Sequence, residues 1–399
     1  MNAPLLDPIA TDLLIAEAAQ RIEPQVIAWR RDFHQHPELL FEVHRTAGVV
    51  AEKLKEFGCD EVVTGIGRTG VVGVIKGRKG DGPTIGLRAD MDALPIPEAT
   101  SVAYKSKNPG LMHACGHDGH TAMLLGAAQY LTETRNFAGT AVVIFQPAEE
   151  GGGGGREMVA DGVMERFGVK QVYGMHNAPG VPVGVFAIRK GALMASADRF
   201  EVEITGRGGH AAKPNECIDP IVAGSQIVNA LQTIASRTVD PIDSVVVSVT
   251  QFHAGTANNI IPQTARLTGT IRALKNETRA LAKKRFHDIV DGVAALNGCE
   301  AKIDFEDGYP VTVNHAEETD FAVKVAREVA GADRVMADMP PVMGAEDFSY
   351  MLEARPGAFI CIGNGATAGL HHPEYDFNDA AIPYGVSYWA RLVENALAG

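Results

Sequence analysis

Residues able to hold a metal ion or move a proton gather in four short segments of this chain. Asp90 and Asp92 close the run TIGLRADMD (84–92). His113, Cys115, His117, Asp118 and His120 crowd into MHACGHDGH (112–120). Glu149 and Glu150 end TAVVIFQPAEE (140–150), and His176 ends VYGMH (172–176). A later pair, His371 and His372, stands in GLHHPEYD (369–376). Thiolate, imidazole and carboxylate together suit zinc or another borderline divalent ion. One catalytic ion takes about three protein ligands plus water. More donors than that are present, and two ions about 3.5–4 Å apart would use them. Adjacent Glu149 and Glu150 can divide the work, one binding metal and the other accepting a proton from water.

Each donor also has an ordinary explanation. A lone cysteine is usually a small core hydrophobe, and Cys59, Cys217, Cys299 and Cys361 are read that way. Cys115 is read as a ligand, because His117 follows two residues on in a glycine-containing loop. His287 and His315 stand alone and are read as surface or core residues. Paired glutamates usually face solvent, but Glu149 and Glu150 follow an apolar strand and precede the tract Gly151–Gly155, read as a flexible segment beside a site.

These segments need a scaffold. Residues 11–57 carry apolar residues at helical spacing (Ile15, Ala18, Ala19, Ile22, Val26, then Thr46 to Phe57), with Gly58 as a stop. β-rich runs at 71–77, 84–90, 140–146 and 172–176 then alternate with a helix over 120–134. That alternation indicates an α/β layered sheet with helices on its faces, and ligands of such sheets bind at the carboxyl ends of the strands. After about residue 190 the order becomes β-α-β-β-α with a fourth possible strand, KIDFEDGYP, which fits a ferredoxin-like α+β unit. The αβ pattern resumes near 310, so this unit reads as an insertion. The expected domains are 1–190 with 305–399, and 191–304.

Composition excludes several classes. The 399 residues carry 36 Lys+Arg against 49 Asp+Glu, a net charge of −13. This argues against a nucleic-acid backbone partner and a polybasic membrane patch. The five cysteines are odd in number and scattered, which is no disulfide framework. Residues 1–20 hold no Lys or Arg and so lack a signal-peptide n-region, and no apolar run reaches the roughly 18 residues of a membrane span. Reducing cytoplasm is the expected compartment. GIGRTG (65–70) matches a dinucleotide-binding pattern, but a β-rich run follows it instead of a helix, so it is read as a turn between strands.

In chain order, RADMDALP, MHACGHDGHTAM, FQPAEEGGGG, MHN, GRGGHAAKP, GTANNIIP, GTIR, GAEDFS and GLHHPEYDFND resemble the aminoacylase/carboxypeptidase-type dinuclear metallopeptidase family. The nearest likeness is its amidohydrolase branch of hippurate, auxin-conjugate and N-acyl-amino acid hydrolases. The resemblance spans roughly residues 30 to 390 and implies a catalytic domain interrupted by a satellite domain. It implies Cys115, His117, Glu150, His176 and His371 as metal ligands, with Cys115 bridging, and Glu149 as general base. Asp92 matches an aspartate that orients a ligand. Asp90 stands where the family usually has a histidine ligand. His210 matches a histidine that polarises the scissile carbonyl, often across a homodimer formed through the satellite domain. Asn258 or Asn259, and Arg272, match positions that hold a substrate carboxylate. Glu346 and Asp347 receive no firm role. The implied cofactors are two divalent ions, zinc or manganese, with cobalt or nickel also admitted. The implied reaction is hydrolysis of N-acyl amino acids. The alternatives are a metallo-exopeptidase acting on dipeptides and a catalytically silent metal-binding homologue.

Overall fold

A computed structural model describes residues 13–399. The start of the helix expected from residue 11, and most of the N-terminal stretch lacking Lys and Arg, lie outside the described residues. The first helix, Leu13–Gln35, buries Ala16, Ala19, Ile22, Val26, Trp29 and Phe33, a stripe stepping by three and four. A second, His44–Phe57, ends where Gly58 takes a left-handed φ of 84° and its N–H bonds the carbonyls of Leu54 and Lys55. The two helical stretches expected within 11–57 are thus separate helices, divided at residues 36–43.

The chain divides into two compact units. One comprises Met1–Gly191, Val313–Pro340 and Asp347–Gly399; the other comprises Ala192–Thr312 and Pro341–Glu346.

The first unit is built on an eight-stranded sheet. Its spatial order is Glu61–Ile66, Gly70–Lys76, Thr140–Gln146, Thr84–Asp90, Gln171–Pro179, Gly357–Gly365, Phe186–Ala187 and Val335–Met336. The first two strands form an antiparallel hairpin, so the GIGRTG glycines serve a turn. Thr84–Asp90 runs parallel to both Thr140–Gln146 and Gln171–Pro179, which runs parallel to Gly357–Gly365. Strands buried on both faces read as unbroken apolar runs, and Ala141 to Phe145 are all fully buried. In register, Asp90 lies opposite Gln146. Parallel direction therefore delivers Asp90, the Glu149–Glu150 segment beyond Gln146, and His176 to one edge of the sheet.

The helix His117–Thr134 is apolar on nearly every side, because it is packed between the first helix and Ile382–Ala396 as well as over the sheet. That burial holds its N-terminal residues in place.

The second unit contains a four-stranded antiparallel sheet. Its order is Val245–Ala254, Thr264–Ala273, Ala197–Thr205 and Glu300–Tyr309. With helices Pro220–Thr233 and Asn276–Leu296 this is the ferredoxin-like β-α-β-β-α-β arrangement. Ala197–Thr205 alternates strictly, with Asp198, Phe200, Val202 and Ile204 buried toward the helices. Among the described residues no helix is long and apolar enough to cross a membrane.

Candidate metal centre

Five of the expected ligands converge in the first unit. Cys115, His117 and His176 bring ligand atoms within 4.8 Å of one another, as do Cys115, Glu150 and His371, and also His117, Glu149 and Glu150. Cys115 Sγ lies 3.4 Å from His176 Nε2. Glu150 Oε1 lies 3.2 Å from His371 Nε2 and 3.9 Å from His117 Nε2. His117 is fully buried, whereas the His371 side chain is 52% exposed and marks the solvent side of the cluster.

The backbone that presents these groups is shaped for it. Gly116, between Cys115 and His117, adopts φ 90° and begins the helix. Ala148, just before the glutamate pair, and His371 itself have φ of 54° and 63°. Left-handed non-glycine residues cost free energy and concentrate at functional sites. Part of the glycine tract expected to be flexible is packed. Gly153, Gly154 and Gly155 are buried in a tight turn leading into the helix Gly154–Ala160. A Cβ on Gly154 would stand 1.7 Å from the Pro147 carbonyl oxygen, and one on Gly155 2.6 Å from that of Asp347. Close packing, rather than mobility, requires these glycines.

Asp92 holds the glutamate pair. Its Oδ1 accepts the Glu149 N–H at 2.9 Å and its Oδ2 accepts the Glu150 N–H at 3.0 Å. Its main-chain carbonyl accepts from His117 Nδ1 at 2.8 Å. A carbonyl only accepts, so His117 Nδ1 carries a proton, and Nε2 is the nitrogen that an ion would take on displacing any proton there. His176 is set the same way, its Nδ1 donating to the Asn177 carbonyl at 2.7 Å. Both histidines thus turn Nε2 toward the cluster, the nitrogen that a metal would take.

The structure also sorts the crowded loop. His120 donates from Nδ1 to Asp90 Oδ1 at 2.7 Å and accepts the Asn177 N–H on Nε2 at 2.9 Å. Both its nitrogens are taken. Asp90 is fully buried; Arg88 Nη1 donates to its Oδ2 at 2.8 Å. Asp90, His117 and His120 do bring ligand atoms together, but these hydrogen bonds make Asp90 and His120 a supporting network. His113 is buried in none of the ligand groups, and burial pushes its pKa down to about 3.

Electrostatics favour cations here. Burial, with Glu150, Glu149 and Asp90 adding to it, pushes the Cys115 thiol well above its usual range. Burial opposes charge on His117, yet Asp90, Asp92 and Glu150 overcome it and push its pKa up to about 10. The same negative potential attracts a divalent cation. His117 Nε2 is buried with no hydrogen-bond partner, and an orphaned imidazole nitrogen facing a thiol and a carboxylate fits a metal ligand.

Sequence reasoning passed over the residues behind the ligands. Arg88 is fully buried and spans Gln146, Asp90 and Asp347 at 2.9, 2.8 and 3.0 Å. Asp347 also accepts from Gln146 Nε2 and from the Gly155 N–H at 2.8 Å. Burial outweighs these donors and pushes the Asp347 carboxyl up to about 6. An arginine inside an apolar strand was the available signal. Among the other cysteines, only Cys299 is buried; Cys59, Cys217 and Cys361 are half-buried.

In the second unit, His210 is exposed and its two-residue strand pairs with Ile260–Ile261. The Asn259 carbonyl accepts the Ala211 N–H at 3.0 Å, so Asn258 and Asn259 adjoin His210. Arg272 lies on the neighbouring long strand and donates from Nη1 to the Met343 carbonyl at 2.9 Å.

A Cys/His/Glu cluster at the carboxyl edge of the parallel strands of a mixed sheet is a donor set that suits a divalent metal. The family model described as peptidase family M20/M25/M40 matches residues 86–395. A hippurate hydrolase of Campylobacter jejuni is 47% identical over 363 residues, covering 91% of this chain and 94% of that protein. A thermostable carboxypeptidase of Saccharolobus solfataricus is 44% identical, covering 86% and 87%. The crystal structure of a dinuclear metal-binding M20 peptidase from Bacillus subtilis superimposes with a TM-score of 0.82 at 36% identity, covering 95% of this chain and 99% of that one. This chain belongs to the M20/M25/M40 peptidase family.

Proposed function

We propose that this protein is a metal-dependent amidohydrolase that cleaves N-acyl amino acids, of hippurate-like or auxin-conjugate-like form, to a carboxylic acid and a free amino acid. The observation that carries the reading is Glu149 grouped with His117 and Glu150 beside the Cys115–His176 pair. Cys115, His117, Glu150, His176 and His371 would hold two divalent ions, with zinc or manganese the first choice for this donor set. Such ions lower the pKa of a bound water towards about 7 and polarise a carbonyl.

The protein's own groups do the rest. The Glu149 carboxylate takes a proton from the attacking water and returns it to the leaving amine. Asp92 fixes the backbone of Glu149 and Glu150 through both oxygens. Arg88 and His120 hold Asp90 as a hydrogen-bonded anion rather than a ligand. The second unit, an insertion into a catalytic domain built from the chain on either side of it, supplies recognition. There His210 stabilises the developing oxyanion, and Arg272 with Asn258 or Asn259 holds the free α-carboxylate, for which arginine is the natural bidentate partner. A homodimer through this unit is supported by the edge strand Val245–Ala254, whose Phe252 is exposed with Ile221 and Val222 of the adjacent helix. A cytoplasmic location is in keeping with the free thiols. The carboxypeptidase relative favours a second reading, peptides as substrates.

The test is hydrolysis of a panel of N-acyl amino acids and dipeptides, before and after chelation, with Zn, Mn, Co or Ni restored. The expected result is amide hydrolysis that chelator abolishes and metal returns. Turnover of dipeptides alone would move the substrate to the second reading. Turnover untouched by chelation would remove the metal mechanism.

A further inference from the structure

Asn177, next to His176 and 2% exposed, takes no part in the chemistry above, yet both its main chain and its side-chain amide are hydrogen-bonded to the ligand segments. Its carbonyl accepts from His176 Nδ1 and its N–H donates to His120 Nε2. Its side-chain Nδ2 donates to the Cys115 carbonyl at 2.5 Å, and its Oδ1 accepts from the Tyr375 hydroxyl at 2.8 Å. Tyr375 in turn donates its N–H to the His372 carbonyl at 2.9 Å, while the His371 N–H donates to the Ala114 carbonyl at 2.8 Å. One amide therefore ties together the strand that carries His176, the loop that carries Cys115 and the segment that carries His371. Gly116 makes this approach feasible: a Cβ there would lie 2.2 Å from Asn177 Nδ2 and 2.5 Å from the Tyr375 hydroxyl. The glycine in the ACGH segment and the asparagine after His176 are thus two halves of one contact.

We propose that Asn177 is a positioning residue that sets the spacing of Cys115, His176 and His371 and thereby the affinity of the centre for its ions. The proposal rests on the reading that these three residues are metal ligands. Cys115 Sγ and His176 Nε2 stand only 3.4 Å apart, so a small displacement of either segment changes whether both reach one ion. Groups that orient metal ligands cost about 10–100-fold in metal affinity when removed. A purely structural asparagine would lower stability and leave the affinity of the folded protein alone.

The experiment compares wild type with Asn177→Leu, which keeps branching and charge and deletes the side-chain hydrogen bonds, and with Gly116→Ala, which pushes on the same amide from the other side. Zinc affinity is measured by competition with a chromophoric chelator, and the cobalt-substituted proteins are compared by their thiolate-to-metal absorption band. The expected result is about a 10–100-fold loss of zinc affinity and an altered cobalt band in both variants. Wild-type affinity and an unchanged band in the folded variants would overturn the proposal. Should either variant fail to fold, Tyr375→Phe decides. It removes one oxygen, and it is expected to weaken zinc binding severalfold; unchanged binding would overturn the proposal. A wild-type protein that binds no zinc would instead overturn the reading of the centre, before any variant is compared.

Discussion

Replacing Asp92 tests whether the glutamate pair is held by the side chain or by its surroundings. The carboxylate is 1% exposed and accepts one N–H on each oxygen, from Glu149 and from Glu150. Asp92→Ala leaves both donors without a partner. An unsatisfied buried donor costs about 1–3 kcal/mol, so the segment should lose about 2–6 kcal/mol of local stability. Asp92→Asn keeps one acceptor and turns an NH2 group toward the other amide, so about half of that loss is expected. His117 keeps its bond to the Asp92 main-chain carbonyl in both variants. Because each 1.4 kcal/mol is about tenfold, amide exchange of Glu149 and Glu150 should accelerate by roughly 30-fold to 10⁴-fold in the alanine variant. Hydrogen exchange of the metal-free protein, resolved to the 147–155 segment, reads this directly, with the Arg391–Glu328 ion pair region as an internal control. Equal protection in wild type and Asp92→Ala would refute the argument. So would an asparagine variant as labile as the alanine one, since that would give the second acceptor no weight.

Three further outcomes are expected. Glu149→Gln should bind metal as wild type does but lose at least about 10²-fold in kcat, whereas Cys115→Ala should lose bound metal by elemental analysis; full turnover in the first or full occupancy in the second would remove that residue from its role. Metal affinity should rise with pH, because the metal-free protein holds Cys115 and His117 protonated, with pKa values above their usual ranges, and ligands must shed protons to bind. Titration in weak buffer should show proton release on metal addition, and none would contradict the charge assignment. Away from the centre, burial opposes charge on His34, but its hydrogen bonds to Asp118 and Glu98 push its pKa up from 6.5 to about 9. A raised pKa stabilises the fold fully below 6.5 and loses that contribution as pH rises through 9. The stability gap between wild type and His34→Gln, followed by urea unfolding, should therefore close over that range; a gap independent of pH would count against the pair.

Much of the centre was legible in the chain because its donors sit where strands end. Asp92 and Glu150 follow β-rich runs and His176 lies in one, so residue type with strand direction sufficed to place them on one edge; Cys115 comes to that edge from the loop before the helix His117–Thr134. The hairpin under GIGRTG was legible for the same reason, a β-rich run where a nucleotide fold needs a helix. His113, His117 and His120 could not be told apart by spacing, since all three lie within one loop and the first turn of a helix. What separates them is the partner each nitrogen finds: the Asp92 carbonyl for His117, Asp90 and the Asn177 N–H for His120, and no ligand group for His113. Those partners come from strands far away in sequence.

The glycine tract shows the same limit. Five consecutive glycines suggest slack, yet Gly154 and Gly155 are packed so tightly against Pro147 and Asp347 that side chains are excluded there. Local composition reports what a segment permits, and only its neighbours report what is demanded of it. The sequence alone therefore determined the donor types, their order along the chain and the alternation of strand and helix, because these depend on residue chemistry and short-range periodicity. Tertiary structure decided which imidazole nitrogen turns toward the cluster, why Asp90 is a buried partner of Arg88 and His120, and how Asn177 joins three ligand segments. Those outcomes depend on hydrogen bonds and exclusions between groups that meet only when the chain has folded.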